Sequence, residues 1–440
     1  MRNIGNVLSS LSAAVAVVTV ASLPWMLGGV VPVARAILLV GAVVAGLLSL
    51  LANMLRRRRP NSLPLVAVPL TALAVLGIWQ LRPAPDQLEF IDHGLTASSD
   101  ILAFPSTSAA SLSPPDTRSV VGTLLAATIL SFVCFDQMQT LRTISFAGSF
   151  LVLNGVCIIA VGFTQQFKDT VFPLNEVWSL GGYRGPFATF VNPNNAAGWL
   201  CLCFGIACGG LAFHMTTASV GARVRMRAAE SSLMDRCRQR VFLFFADLDV
   251  WRILPFLAVA LLATGVAATR SRGGILALVL SMAATLAFQT SWRRLPAALL
   301  ILAVCGGSVY GLLRWLNLDQ GVITEMETLQ NLDEAGGGRE AHWSASLRAV
   351  LDFPVTGTGL GSYRFSTLPY QSEPTGNWFR NADNHYVEMI VEGGLVGLML
   401  FVAVGLCGLI TGMGAWQRSR SGSSLWSEFA PRGSRRVYAG

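Results

Sequence analysis

Charged residues are scarce in this chain. They make up 13% of its 440 residues, whereas hydrophobic residues make up 53%. Lys168 is the only lysine and histidine occurs four times. So little charge excludes an ordinary soluble domain. The arginines form short clusters at the ends of apolar runs, without interleaved aromatic side chains, and we therefore expect no nucleic-acid partner despite a net charge of +8.

The chain also lacks the short motifs of several enzyme classes. It has no phosphate-binding P-loop, no His-Glu-x-x-His zinc motif, no Gly-x-Ser-x-Gly nucleophile motif and no paired metal-ligand spacing. We therefore expect no metal ion, no cofactor and no nucleotide hydrolysis. Seven of the eight cysteines lie in or beside apolar runs and the other, Cys237, lies in a basic loop, so no disulfide framework is predicted.

Long apolar runs are abundant. Because about 20 apolar residues cross the hydrocarbon core of a bilayer, these runs predict an all-α, polytopic membrane helix bundle of about ten transmembrane helices. The predicted spans are 8–31, 33–55, 63–82, 118–135, 144–164, 195–216, 252–269, 273–291, 295–316 and 394–415. The first run is too long for a signal-peptide core and a second run follows at once, so we expect it to be retained.

The placement of arginine predicts the orientation of the bundle. Arginines concentrate in every second loop, at 56–59, 142, 223–240, 293–294 and 418–420. The positive-inside rule places these loops and both termini in the cytoplasm. The intervening loops then face outward, and the longest of them, 317–385, carries nine acidic residues against four arginines.

This topology divides the chain into four regions. N-terminal transmembrane helices occupy 1–164, and central helices with arginine-bearing outer loops occupy 165–316. A large outer loop covers 317–393, and the last span with a cytoplasmic tail covers 394–440.

Three polar segments, 183–195, 269–274 and 381–394, lie against apolar spans on the predicted outer face. Charged groups near hydrocarbon are costly and usually face a partner or a wet cavity. Arg270 and Arg272 occupy a short outer turn, against the charge bias of that face, whereas Arg184 alone would also fit an arginine that reaches the lipid headgroups. Guanidinium groups bind phosphate oxygens bidentately. Three arginines together predict a site for a pyrophosphate.

The third segment contains His385, which lies next to Asn384 and close to Asp383. A lone histidine is more often structural than catalytic. An imidazole near a carboxylate, however, suits a general base at neutral pH. Sequence spacing leaves open whether the two side chains are in contact.

Five motifs occur in a characteristic order: Gly185-Pro-Phe-Ala-Thr-Phe-Val-Asn-Pro-Asn-Asn195, Ser271-Arg-Gly-Gly274, Gly338-Arg-Glu-Ala-His-Trp343, Gly357-Thr-Gly-Leu-Gly-Ser-Tyr363 and Asn384-His-Tyr-Val-Glu388 with Glu392-Gly-Gly394. Each motif alone is weak. Together with the large outer loop before the last one, they resemble the O-antigen ligase and O-antigen polymerase superfamily. The resemblance covers about 180–415.

This resemblance implies a metal-independent, inverting glycosyltransferase of the bacterial inner membrane, with a helical fold like that of the lipid-dependent C-type glycosyltransferases. Such enzymes pass a glycan from undecaprenyl pyrophosphate to a hydroxyl of a glycan, lipid or protein acceptor on the periplasmic side. The implied partners are therefore this donor, the acceptor, the lipid bilayer and, for a polymerase, a chain-length regulator.

The resemblance also implies roles for individual residues. Arg184, Arg270 and Arg272 would stabilise the departing pyrophosphate, and Arg339 and Trp343 would line the acceptor or glycan side of the long loop. Further substrate-binding residues in the shared motifs would be Asn192, Asn194, Asn384, Tyr386 and Glu392.

The last motif departs from the family pattern. The family usually has His-Asn-x-Tyr, which in register places Asp383 rather than His385 at the histidine position. Both residues stay open as the base, with His385 preferred. Members also commonly carry a further pair of helices beyond the about ten spans predicted for this chain.

Other functions fit parts of the pattern. A protein O-oligosaccharyltransferase would share these motifs. An anionic-solute transporter would use the same arginines, but it should carry ionisable residues at mid-helix depth, and the predicted spans hold almost none. A non-catalytic subunit of polysaccharide assembly would fit the aspartate at position 383.

Overall fold

The computed structural model describes residues 2–61, 63–82, 110–167, 187–226, 250–289, 339–370 and 381–420, with five further residues between 306 and 314. In this part of the chain the prediction of an all-helical fold is confirmed, since helices account for all the regular structure. Phe187 and Phe190 form an isolated β-bridge in a tight turn.

Eleven α-helices occur among the described residues. They are α1 Arg2–Ser22, α2 Pro32–Arg56, α3 Ala67–Gln80, α4 Pro114–Gln137, α5 Leu141–Phe167, α6 Pro193–Met226, α7 Val250–Ala268, α8 Arg272–Gln289, α9 Arg339–Asp352, α10 Tyr363–Ser366 and α11 His385–Arg420. Short 3₁₀ helices cover Leu23–Trp25, Leu27–Gly29 and Leu368–Tyr370.

Six of the described helices are long and apolar enough to cross a membrane. These spans are Asn3–Trp25, Pro32–Arg56, Pro114–Gln137, Leu141–Gln165, Pro193–Leu211 and His385–Ala415. The shorter apolar helices Ala67–Gln80, Leu254–Ala268 and Arg272–Ala283 coincide with three other predicted spans. The predicted span at 295–316 lies largely outside the described residues. The chain is thus a multi-pass membrane protein.

The chain forms two compact units. The first comprises Met1–Thr19, Arg35–Leu141 and Gly336–Gly440. Within it, α3 packs against α4 and α11, and both α9 and α10 pack against α11. Gln80, at the C-terminal end of α3, contacts Glu392 in the N-terminal part of α11. Residues 381–388, which precede and begin α11, are named the histidine motif.

The second unit comprises Val20–Ala34 and Arg142–Ala335. Here α7 packs against α6 and α8, and α8 also packs against α6. The buried core of this unit includes Ile158, Leu200, Phe204, Leu262 and Val266. Apolar contacts between α6, α7 and α8 fix the turn that carries Arg270 and Arg272.

Candidate active site

The turn between α7 and α8 carries two of the predicted arginines; we name residues 269–274 the arginine turn. Arg270 has a left-handed backbone with φ of 55°, and its N–H donates to the carbonyl of Ala267 at 3.0 Å. Ser271 Oγ accepts the N–H of Gly274 at 3.1 Å and so caps the start of α8. The backbone is thus well ordered by hydrogen bonds, while the Arg270 side chain is exposed and the Arg272 side chain is partly buried.

The start of α6 lies against the arginine turn. Ser271 Oγ donates to Asn194 Oδ1 at 2.7 Å, and Asn192 Oδ1 accepts the N–H of Asn194 at 2.9 Å. The backbones approach closely, since a Cβ on Gly274 would lie 2.4 Å from Ala197 Cβ. The structure therefore brings Asn194 to the arginine turn directly and Asn192 through Asn194.

Arg184 lies outside the described residues, and its predicted role stays a prediction. The described chain resumes at Phe187, whose backbone exchanges hydrogen bonds of 3.1 and 3.0 Å with Phe190. Both rings are buried, and Gln165 Nε2 donates to the carbonyl of Ala188 between them at 2.9 Å. This turn is anchored within the second unit.

In the first unit, α11 is broken at Gly394, where φ is 61° and ψ is −160°. A loop rich in glycine, residues 354–361, fills the break and is named the glycine loop. The N–H groups of Leu395 and Val396 donate to Pro354 (2.9 Å) and Val355 (3.1 Å), and those of Thr358 and Gly359 donate to Val391 (3.0 Å) and Glu392 (2.9 Å). These bonds satisfy backbone groups that the break leaves without helical partners.

Two glycines make this close approach of backbones feasible. A Cβ on Gly357 would lie 2.4 Å from the carbonyl carbon of Glu392, and one on Gly394 would lie 2.5 Å from the carbonyl oxygen of Val355. Both glycines also have positive φ, which other residues rarely adopt. The sequence signature of the loop therefore reflects direct contact between two backbone segments.

Glu392 holds the far end of the glycine loop. Its carboxylate is buried and accepts the N–H groups of Gly361 at 2.8 Å and Tyr363 at 2.9 Å. Both carboxylate oxygens are thus engaged by the backbone. This geometry favours a role for Glu392 in shaping the loop, while its predicted role in substrate binding stays a prediction.

Gln80, the last residue of α3, holds the same loop from the opposite side. Its Nε2 donates to the carbonyls of Thr356 at 2.6 Å and Glu392 at 2.9 Å, and its Oε1 accepts the N–H of Leu360 at 2.9 Å. The side chain is buried. Sequence reasoning did not identify Gln80, and the one available signal was a polar residue at the end of an apolar run.

A buried polar cluster joins α9 to α10. His342 Nε2 lies 2.8 Å from the hydroxyl of Tyr363, which lies 2.7 Å from Ser346 Oγ. Burial lowers the pKa of His342, against the opposing effect of the negative charge of Asp383. Burial also raises the pKa of the Tyr363 phenol. Both groups are therefore uncharged at neutral pH, and the sequence did not single them out as a pair.

Helix α9 contacts the histidine motif through Trp343. The indole Nε1 donates to the carbonyl of Ala382 at 2.7 Å, immediately before Asp383. Arg339 begins α9, and its side chain lies outside the described part of the structure. Of the two predicted loop residues, Trp343 is thus brought to the motif and Arg339 stays a prediction.

The histidine motif forms the start of α11. Asn384 Oδ1 accepts the N–H of Tyr386 at 3.0 Å and caps the helix. Asp383 precedes the helix with φ of 52° and is exposed. His385 is also exposed, and its Nδ1 lies 3.5 Å from Glu388 Oε2. Glu388 is thus a carboxylate partner of His385 that sequence spacing alone did not indicate.

Tyr386 makes an aromatic contact across the break in α11 at Gly394. Its ring packs edge-to-face against Phe401, with 5.8 Å between the ring centroids. Tyr386 is nevertheless largely exposed, at 62% of its surface. An exposed aromatic side chain therefore lies beside His385, and the predicted role of Tyr386 in substrate binding stays a prediction.

Residues 257–402 match the family model described as O-antigen ligase. The chain is similar to this family over residues 257–402, which we call the O-antigen ligase region after the model they match. The match confirms the resemblance drawn from the motifs, over a shorter stretch than the predicted 180–415. No curated protein and no solved structure matches the chain.

The O-antigen ligase region contains most of the predicted site. It includes the arginine turn of the second unit, together with α9, the glycine loop and the histidine motif of the first unit. Arg184, Asn192 and Asn194 precede it. Among the described residues, no group of three or more His, Cys, Asp and Glu is arranged to hold a metal ion. The functional groups of the predicted site residues are guanidinium, imidazole, carboxylate and amide.

Proposed function

We propose that this membrane protein is a glycosyltransferase that moves a glycan from undecaprenyl pyrophosphate to an acceptor hydroxyl at the periplasmic face of the inner membrane. One observation carries the proposal: the O-antigen ligase region contains both an exposed arginine on an ordered turn and an exposed histidine at an ordered helix start. The arginine suits the binding of an anionic leaving group, and the histidine suits the removal of the proton from an acceptor hydroxyl.

The arginine turn supplies the electrostatic half of the reaction. As the glycan departs, negative charge grows on the pyrophosphate oxygen that held it. Arg270 and Arg272 stabilise this charge, together with Arg184. The first turn of α8 begins at Arg272, and the positive end of the helix dipole also favours an anion there.

The histidine motif supplies the proton acceptor, with His385 preferred and Asp383 as the alternative. The base takes the proton of the acceptor hydroxyl while the hydroxyl oxygen bonds to the anomeric carbon. The bond between that carbon and the pyrophosphate oxygen breaks, and its electron pair leaves with the pyrophosphate. A single displacement inverts the anomeric configuration.

The family match favours a ligase, which transfers the glycan to a lipid-borne acceptor. A polymerase or a protein O-oligosaccharyltransferase would run the same displacement on another hydroxyl. The acceptor therefore separates these three activities, and the donor chemistry does not.

The test is transfer by the purified chain in lipid nanodiscs. The reaction would contain a synthetic undecaprenyl-pyrophosphate-linked glycan, a chelator and one acceptor at a time: a lipid-borne core saccharide, a free glycan or an acceptor protein. We expect transfer to the lipid-borne acceptor with release of undecaprenyl pyrophosphate and an inverted linkage by NMR. Absence of transfer to all three acceptors would contradict the proposal and favour a non-catalytic subunit.

A further inference from the structure

His385 and Glu388 form an imidazole–carboxylate pair on the first turn of α11. His385 Nδ1 lies 3.5 Å from Glu388 Oε2, and the i, i+3 spacing places both side chains on one helix face. The two differ in exposure: 83% of the His385 side chain is accessible, against 21% of the Glu388 side chain. The imidazole therefore faces outward and the carboxylate is its more buried partner.

This contact selects one tautomer of His385. A carboxylate accepts the proton that Nδ1 carries, which leaves the lone pair on Nε2. Nε2 is then the nitrogen available to a substrate hydroxyl. The distance of 3.5 Å is long for a hydrogen bond, as catalytic contacts often are without substrate.

The backbone beneath the pair is well fixed. The N–H of Glu388 donates to the carbonyl of Asn384 at 2.9 Å, and the Asn384 side chain caps the same turn. The bond from Trp343 to Ala382 ties the preceding segment to α9. Both members of the pair thus sit on a helix, whereas Asp383 lies before it.

We propose that Glu388 is a positioning residue for His385, and that this pair provides the base in this chain. The inference rests on the proposed function. Glu388 holds Nδ1–H while Nε2 takes the proton of the acceptor hydroxyl, whose oxygen bonds to the anomeric carbon. The carbon–oxygen bond to the pyrophosphate breaks and the electron pair leaves with that oxygen. The Glu388 carboxylate then stabilises the imidazolium that has formed.

The experiment measures kcat and its pH dependence for wild type, Glu388→Gln, His385→Gln and the double variant, with saturating donor. We expect His385→Gln to lower kcat by about 10²–10⁴-fold and Glu388→Gln to lower it by a smaller factor, because the imidazole itself remains. The double variant should equal His385→Gln, because Glu388 acts through His385. A structural role would lower kcat of the double variant further. In Glu388→Gln, the acidic limb of the pH profile should move to lower pH, because a carboxylate stabilises a protonated imidazole.

Asp352→Asn is the matched control. It removes one negative charge from the same unit and keeps an acceptor for the Tyr370 hydroxyl, which lies 2.6 Å from Asp352 Oδ2. We expect wild-type kcat and an unchanged pH profile. Glu388→Gln behaving like this control would overturn the inference, as would losses that multiply in the double variant. A large loss in Asp383→Asn with full activity in Glu388→Gln would overturn it in favour of Asp383. An inactive wild type would instead overturn the proposed function, and the inference with it.

Discussion

The glycine loop of the first unit and the arginine turn of the second unit are built in opposite ways. In the first unit, residues 357–360 of the glycine loop are buried, and the backbone of the loop is held by the side chains of Gln80 and Glu392. In the second unit, the arginine turn is short and its hydrogen bonds are made by backbone groups and by short hydroxyl side chains. The Arg270 side chain is exposed. The polar groups around the glycine loop hold its backbone in place, whereas the arginine turn exposes a positively charged side chain.

This difference separates residues that fold the protein from residues that act on a substrate. A buried polar group is costly to leave without its partner, so changes in the glycine loop should first reduce stability. An exposed guanidinium contributes little to stability, so changes in the arginine turn should reduce activity and leave the fold intact. Each prediction below tests one side of this division.

The largest expected effect is on the activity of arginine variants. Arg270→Ala should lower kcat by about 10²–10³-fold, because a group that stabilises the leaving pyrophosphate is lost. Arg270→Lys should lose less activity, since lysine keeps the positive charge and lacks only the planar guanidinium group that binds two oxygens at once. Steady-state transfer assays and thermal unfolding would be run on both, with the exposed Arg348→Ala on α9 as control. Either a wild-type kcat or a large loss of stability in Arg270→Ala would contradict this distinction between residues that stabilise the fold and residues that act on the substrate.

The next effect is on stability at the break in α11. Gly394→Ala and Gly357→Ala should each destabilise the protein by about 3–5 kcal/mol, since each combines positive-φ strain with overpacking against backbone. Gly397→Ala is the matched control, because its Cβ would meet its nearest neighbour at an ordinary 3.5 Å. Thermal unfolding in detergent would compare the three. Equal midpoints for Gly394→Ala and Gly397→Ala would mean that the glycine loop does not fill the break as described.

A smaller effect is expected at Gln80. Gln80→Leu keeps the size of the side chain but removes the partners of the Leu360 N–H and the Thr356 carbonyl, while the Glu392 carbonyl keeps the N–H of Gly359. We expect a loss of about 1–3 kcal/mol in the free energy of unfolding. The exposed Gln139→Leu on the same unit serves as the control. If both variants unfold at the same temperature, Gln80 does not hold the loop.

The smallest effect is the pH dependence contributed by His342. Burial lowers the pKa of His342 in the folded chain, so below about pH 6.5 the unfolded chain binds a proton that the folded chain does not. Stability is therefore fully present above that pH and decreases as the pH falls below it. Asp383 opposes the shift, and Tyr363 retains an acceptor in His342→Gln. Thermal unfolding from about pH 8 to 5 should show a shallower acid loss in His342→Gln than in wild type; identical slopes would contradict this account.

The helical fold was predictable because the length of an apolar run is a local property. The predicted start of the last span at position 394 coincides with the break in α11, since Gly393-Gly394 interrupts the apolar pattern. The position of Arg270 and Arg272 at a short turn was also predictable, because the turn separates two apolar runs, whereas their role in binding a pyrophosphate stays a prediction.

The long-range contacts were not predictable. Gln80 contacts Thr356 across 276 residues of chain, and no local pattern encodes such a pair. Glu388 was missed as the partner of His385 because Asp383 is nearer in sequence. Since α11 begins at His385, the i, i+3 spacing places the Glu388 carboxylate on the same helix face as the imidazole. His342 belongs to one of the five motifs, and only the packing of α10 against α9 reveals its hydrogen bond to Tyr363.

The central claim is that guanidinium groups stabilise a departing pyrophosphate, and donor discrimination tests it most directly. The measurement is kcat/KM for the same glycan linked to undecaprenyl through pyrophosphate or through a single phosphate, in wild type and in Arg270→Ala. The account predicts a strong wild-type preference for the pyrophosphate donor that largely disappears in the variant. An equal preference in the two proteins would contradict it.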